Sequence, residues 1–256
     1  MTTMAEVARE GVVLAAAGRA LLLQLAHPAI GRGVARHSRF AQDPLARLHG
    51  TLAYVYAVAA GTPEDVAAVR RVVDRAHAPV RGPGYSATDP ELQLWVAATL
   101  YDSAVDIHAR VFGPPGEPEA LYREYARLGS ALQMPEELWP ADRAAFAGYW
   151  QAQLAALAVD DEVRAVQRML LPERGRPAAS LPGWLRPLLP GVRELTAHLL
   201  PAPVRELFAI EWSAGQDARV ARRLERASAL YRRLPPALRA APQRHYLRRV
   251  RRLAAP

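Results

Sequence analysis

The sequence has neither cysteine nor lysine. Without cysteine there is no thiolate haem ligand, iron–sulfur cluster, zinc ribbon or disulfide. Without lysine there is no Schiff base and no phosphate-loop lysine. Any metal must be held by histidine or carboxylate, and every one of the 33 basic residues is an arginine. The longest apolar stretch, Gly11–Ala26, falls short of the roughly 20 residues a membrane span needs. Arg19 and Gln24 also interrupt it. The first ten residues lack the cationic run of a secretory signal, so a soluble cytoplasmic protein is expected. Period-two runs of β-branched and aromatic residues are missing as well, which argues against a sheet.

What is present is a helix-forming composition, rich in alanine, leucine and arginine. At 256 residues and 51% hydrophobic, the chain is large and apolar enough to bury a substantial core, and no internal repeat divides it. The expected fold class is all-α, as a single multi-helix domain. The net charge of +8 is unevenly spread: residues 219–252 hold 12 arginines and one acid, Glu225, leaving 21 arginines against 24 acids elsewhere. The basicity therefore belongs to the C-terminus. A near-neutral body with a solvated basic end is expected, with no nucleic-acid partner.

Two helix starts position the histidines. Thr62-Pro63-Glu64-Asp65 combines an N-cap, a proline at the first helical position and two acids at the positive end of the dipole. Along the helix that follows, Val66, Val69, Val73 and His77 form one apolar stripe, so His77 is expected to face inward. Asp89-Pro90-Glu91 opens a second helix in which Leu94, Ala98, Tyr101, Val105, His108 and Phe112 share a stripe before Gly113-Pro114-Pro115-Gly116 stops it. Upstream, one helix is expected from Met4 to about Leu25, broken near His27-Pro28, and another from Asp43-Pro44 to about Ala60. Downstream, helices are expected near 118–130, 141–158, 160–171, 204–211, 215–233 and 236–253, with a proline-punctuated stretch at 172–203.

Several constellations carry chemistry. Arg47 and Thr51, four residues apart on a helix, present a guanidinium and a hydroxyl to one patch. His77 ends its stripe as either a hydrogen-bonded core residue or a ligand, and Arg81 can reach an anionic cofactor group or a surface carboxylate. A di-iron carboxylate centre needs paired Glu-x-x-His units. The nearest match is Asp74-x-x-His77, while Glu194 and His198 are one residue too far apart. Zinc-hydrolase, dinucleotide and nucleophile-elbow motifs are absent. Haem remains compatible with the composition, with histidine as the common axial ligand and arginines for the propionates.

The ordered series His27-Pro28, His37-Ser38-Arg39-Phe40, Asp43-Pro44, Arg47, Thr51, His77-x-x-Val80-Arg81-Gly82, Tyr85-x-Ala87-x-Asp89-Pro90 and Trp95-Val96 continues at Leu199-Leu200-Pro201 and Val204-Arg205-Glu206. It resembles the rubber oxygenase (latex clearing protein) catalytic domain family, which includes the MpaB-type oxygenases, over roughly residues 10–215. The resemblance implies an all-helical fold with haem b between helices and His77 as the proximal iron ligand. Arg47 and Thr51 match the family's distal Arg-x-x-Lys-Thr motif, and Arg81 is expected at a haem propionate. Residues 1–215 would then be the catalytic domain and 216–256 an Arg-rich helical extension packed on it. The implied function is a haem-dependent oxygenase using O2 on a small apolar substrate, isoprenoids among them. The alternative is a non-catalytic haem or small-ligand binding protein of the same fold.

Two departures bear on the choice. The lysine position of the motif is Gly50, and the acid that precedes the arginine in rubber-cleaving enzymes has no counterpart between Glu10 and Asp43. Among other histidines, His108 ranks next as a ligand, followed by His27, His37 and His49, the last lying off the Arg47–Thr51 face.

Overall fold

The computed structural model describes residues 2–37, 44–171 and 183–254, with the side chains of 44–47, 183–185 and 254 excepted. The chain opens with α1 (Met4–Arg9), a 3-10 turn (Gly11–Ala16), α2 (Ala17–Ala26) and α3 (Pro28–His37). It continues through α4 (Pro44–Ala60) and α5 (Pro63–His77) to a hairpin of two-residue strands, β1 (Arg81–Gly82) and β2 (Tyr85–Ser86), and then the long α6 (Pro90–Phe112). There follow α7 (Pro118–Tyr125), α8 (Arg127–Ser130), α9 (Arg143–Ala156) and α10 (Asp161–Leu170). The last helices are α11 (Leu189–Leu199), α12 (Ala202–Leu207), α13 (Ala214–Arg232), α14 (Pro236–Arg239) and α15 (Ala241–Ala254). The all-α expectation holds: β1 and β2 are the only strands among the described residues, paired antiparallel with Arg81 opposite Ser86.

The helix starts behave as their chemistry dictates. Thr62 and Asp65 form a reciprocal capping box at α5, with Pro63 at the first position. Asp89 accepts from Glu91 N at 2.9 Å at the start of α6, and Gly113, at φ +89°, ends that helix. Pro28 forces His27 into extended geometry. The helical segments on either side, Gly11–Ala26 and Pro28–His37, are bent by 99°. No single helix among the described residues is long and apolar enough to cross a membrane.

The core is built where α2, α4 and α6 meet. Leu22, Leu23 and Leu25 of α2, Tyr56, Ala57 and Val58 of α4, and Trp95 and Ala98 of α6 are all buried. The indole N–H of Trp95 donates to Leu23 O at 3.2 Å, satisfying its one polar atom. Tyr101, Tyr122, Trp139 and Phe146 extend the core as mutually edge-on or stacked rings.

Two segments depart from the sequence expectation. The helix expected over Met4–Leu25 breaks at Glu10, whose carboxylate turns inward to Tyr231 and Arg239 at 3.1 Å each. The adjacent Gly11 lies so close to the C-terminal chain that a Cβ there would sit 2.9 Å from Arg239 O. The helix expected over 236–253 breaks at Ala240, between α14 and α15. The break at Glu10 goes with docking of the C-terminal chain, which local propensity does not encode, whereas the break at Ala240 falls just before Pro242, which cannot continue the preceding helix. The proline-punctuated stretch contains α11, while residues 172–182 lie outside the described residues.

Candidate functional site

The site is framed by α4 and α5, joined by Gly61-Thr62 alone and packed along each other. At 1.5 Å per residue, Arg47 and His77 both stand about 22 Å along the helices from this turn, and Thr51 about 16 Å. The short connection thus brings the Arg47 backbone level with His77 and sets Thr51 roughly one helical turn nearer the connection. The Arg47 side chain, and the segment 38–43 that holds part of the motif series, lie outside the described residues.

His77 is the last residue of α5. Val69 in its stripe is buried, Val66 and Val73 pack on the core, and His77 itself is half-buried with Nδ1 shielded from solvent. A polar network anchors this helix end. Gln133 Nε2 donates to Asp74 Oδ1 at 2.6 Å, Gln133 N donates to Gln93 Oε1 at 2.9 Å, and Gln93 Nε2 donates to Ala87 O at 3.1 Å. Asp74, three residues before His77, is therefore engaged by Gln133 and also faces Arg70 at 3.6 Å.

Arg81 is exposed on β1. Its hairpin is pinned by buried Tyr85, whose hydroxyl lies 2.7 Å from His37 Nε2 on α3. The Tyr85 ring also crosses Gly82 so closely that a Cβ there would meet it at 2.6 Å. Replacing Gly82 by a larger residue would move the hairpin, and Arg81 with it.

Along α4, Leu48, Gly50 and Thr51 are exposed and His49 is half-buried. Thr51 is exposed, and a Cβ added at Gly50 would meet nothing within 4 Å. The face at Gly50 and Thr51 is therefore open. His49 lies roughly half a turn from Thr51 around the helix and is occupied elsewhere, its Nδ1 2.5 Å from the Tyr246 hydroxyl. Tyr246 in turn stacks on Tyr56 at 5.5 Å, and Arg251 approaches buried Asp65 at 3.8 Å, so α15 covers the side of α4 and α5 away from Thr51. The sequence reading missed this cover. Its signal was the four-residue spacing of Tyr246 and Val250 among arginines.

The remaining histidines are dispersed. His108 packs on Phe112 at 4.9 Å beside the Glu10 carboxylate. His27 faces Trp95 at 6.4 Å, and its buried Nδ1 has no hydrogen-bond partner. His198 Nδ1 lies 2.9 Å from Asp217. Among the described residues, no three of histidine, aspartate and glutamate gather as a metal-holding group. A cavity of about 180 Å³, lined by Tyr101, Val105, Leu121, Arg143 and three prolines, has no wall from α4 or α5. It is smaller than the roughly 300 Å³ at which ligand pockets begin.

Burial holds both His27 and His108 below the ordinary imidazole value. The unfolded chain then binds more protons than the folded one as pH falls below about 6.5, so stability rises with pH across that window. Urea midpoints should fall as pH is lowered from 7.5 towards 5. The double variant His27→Gln/His108→Gln should show a shallower fall, and an unchanged slope would refute the assignment.

Comparison with known proteins adds the following. The family model described as ER-bound oxygenase mpaB/B'/Rubber oxygenase, catalytic domain, matches residues 5–240. An uncharacterized protein of Mycobacterium tuberculosis is 36% identical over 211 residues, covering 78% of this chain and 81% of its own length. An uncharacterized protein of Mycobacterium bovis matches to the same extent. No solved structure matches the chain.

Proposed function

Because the chain belongs to the family of MpaB and rubber oxygenase catalytic domains, we propose that it is a haem-b-dependent oxygenase acting with O2 on a small apolar substrate, with isoprenoid alkenes the first class to test. The observation that carries this reading is the environment of His77, a half-buried imidazole that ends an apolar stripe on α5, the helix packed along the α4 that bears Arg47, Gly50 and Thr51. That donor set suits haem: one imidazole for iron and the exposed Arg81 guanidinium for a propionate.

Bound haem would supply the one-electron and dioxygen chemistry that no side chain here can provide. The chain's own residues do the rest. His77 would hold the iron, its Nδ1 being shielded from solvent. Arg81, on its pinned hairpin, neutralises a propionate. Arg47 and Thr51 would donate hydrogen bonds to bound dioxygen, since fixed donors stabilise negative charge. With Gly50 in the lysine position of the motif, no side chain from that position can occupy the distal face. The missing acid between Glu10 and Asp43 removes the base used in polyisoprene cleavage, which points to a different substrate.

Those same two departures are what favour the second reading, a haem or small-ligand binding protein without catalysis. Haemin titration tests the shared premise: the protein should develop a Soret band distinct from free haemin and saturate at one equivalent. A spectrum that remains that of free haemin at saturation overturns both haem readings. If the band forms, oxygen uptake with an alkene panel separates enzyme from binder, and no uptake across the panel favours the binder.

A further inference from the structure

The C-terminal third carries a surface that the site at His77 does not use. No acid occurs after Glu225, while nine arginines do. Along α13, Arg219, Arg222, Arg226, Leu230 and Arg233 recur every three or four residues and share one face. All five are exposed, and none of these four arginines is in an ion pair. The stripe runs into a tip, 232–238, in which every residue is exposed. Leu230 is 66% exposed, Leu234 38% and Leu238 60%. Exposed leucines scattered singly are ordinary, but three within nine residues, set among unpaired arginines, are not.

The tip is held in place. Arg232 Nη1 donates to Val111 O at 2.7 Å, the Tyr231 hydroxyl and Arg239 Nη1 donate to buried Glu10, and Arg244 Nη2 donates to Ala237 O at 2.6 Å. The leucines therefore stay outward on a fixed support; folding back would break these bonds.

We infer that the outer face of α13 and the tip through α14 form a docking surface for an anionic phospholipid bilayer. The arginines would meet headgroup phosphates, and Leu230, Leu234 and Leu238 would enter the interfacial apolar layer. An anionic bilayer rewards both components at once. Nucleic acid would pair the guanidiniums but gain nothing from the leucines, since phosphate contacts are polar. A second copy of the chain on this face would set arginine stripe against arginine stripe.

The test is co-sedimentation of the full chain with phosphatidylcholine vesicles, with and without phosphatidylglycerol, at low and high salt. Binding should require the anionic lipid and weaken with salt. Leu230→Ser/Leu238→Ser should lower partitioning about tenfold even at low salt. Arg222→Gln/Arg226→Gln/Arg233→Gln should lower it about a hundredfold, at about fivefold per arginine near the surface. All five positions are exposed, and unchanged circular dichroism confirms that each variant is folded; because the two sets are independent, either suffices if the other misfolds. Failure to bind anionic vesicles, equal binding to neutral ones, or a leucine variant that binds like the parent overturns the inference. Duplex DNA binding tighter than vesicle binding and insensitive to the leucine changes assigns the surface to nucleic acid instead.

Discussion

In His77→Ala, haemin titration should yield only the spectrum of free haemin, whereas His108→Ala should keep the Soret band of the parent protein. The contrast is sharp because the two histidines are equally half-buried and both lie at helical ends, yet face different surroundings. His77 ends α5, the helix packed along α4. His108 is flanked by Phe112 and the Glu10 carboxylate, with Tyr231 edge-on to the phenylalanine at 6.2 Å. The Soret band belongs to the porphyrin and its position reports the axial ligand, so loss of the ligating imidazole should return the band to that of free haemin. Arg81→Ala should retain the band at reduced haemin affinity, since a propionate contact contributes a charge-assisted hydrogen bond and no iron ligand. A parent-like Soret band that persists in His77→Ala and is lost in His108→Ala would move the centre from α5 to α6.

Asp102→Ala should lower the unfolding free energy by about 3–5 kcal/mol, the cost of leaving a buried cation unpaired. Arg19 is 8% exposed at its side chain and Asp102 27%. Each nitrogen of the guanidinium makes a hydrogen bond, Nη2 to Asp102, Nε to Leu199 O at 2.8 Å and Nη1 to Ser103 Oγ at 2.9 Å. It ties α2 to α6 and to the end of α11, three elements far apart in sequence. Asp102→Asn, which keeps a hydrogen-bond acceptor, should lose less. The double replacement Arg19→Met/Asp102→Leu removes both charges and should recover part of the loss, though Leu199 O and Ser103 would then lack their donor. Urea unfolding of the four proteins checks the order. An Asp102→Ala midpoint equal to the parent's would mean that the pair contributes nothing to stability.

The parts of the fold that were legible are those governed by local chemistry. The capping box at Thr62 and Asp65, the Asp89-Pro90 start and the Gly113 stop fixed α5 and α6 from residues within a turn of each other. The His77 stripe likewise follows from 3.6-residue periodicity, and its half-burial matches. Glu10 is the counter-example. Nothing nearby in sequence says that its carboxylate turns inward, because its partners, Tyr231 and Arg239, are more than 200 residues away. The hairpin at 81–86 was also invisible, since two-residue strands leave no periodicity and depend on Tyr85 reaching His37.

The basic end shows the same division. Composition placed the arginines there but made α13–α15 look like one kind of surface. Packing separates them: α15 turns Tyr246 and Val250 onto α4 and α5, whereas the tip after α13 leaves Leu230 and Leu238 outside. The sequence alone determined the helical class, the exclusion of thiolate and lysine chemistry, the family resemblance and the inward stripe ending at His77, because each depends on residue type or on spacing within one helix. Only the tertiary structure decided which face of α4 stays open, which histidines are spent on tyrosines, and where the chain must break to let its two ends meet. Those outcomes are contacts between distant segments, and a period of 3.6 residues carries no information about which distant segment will arrive.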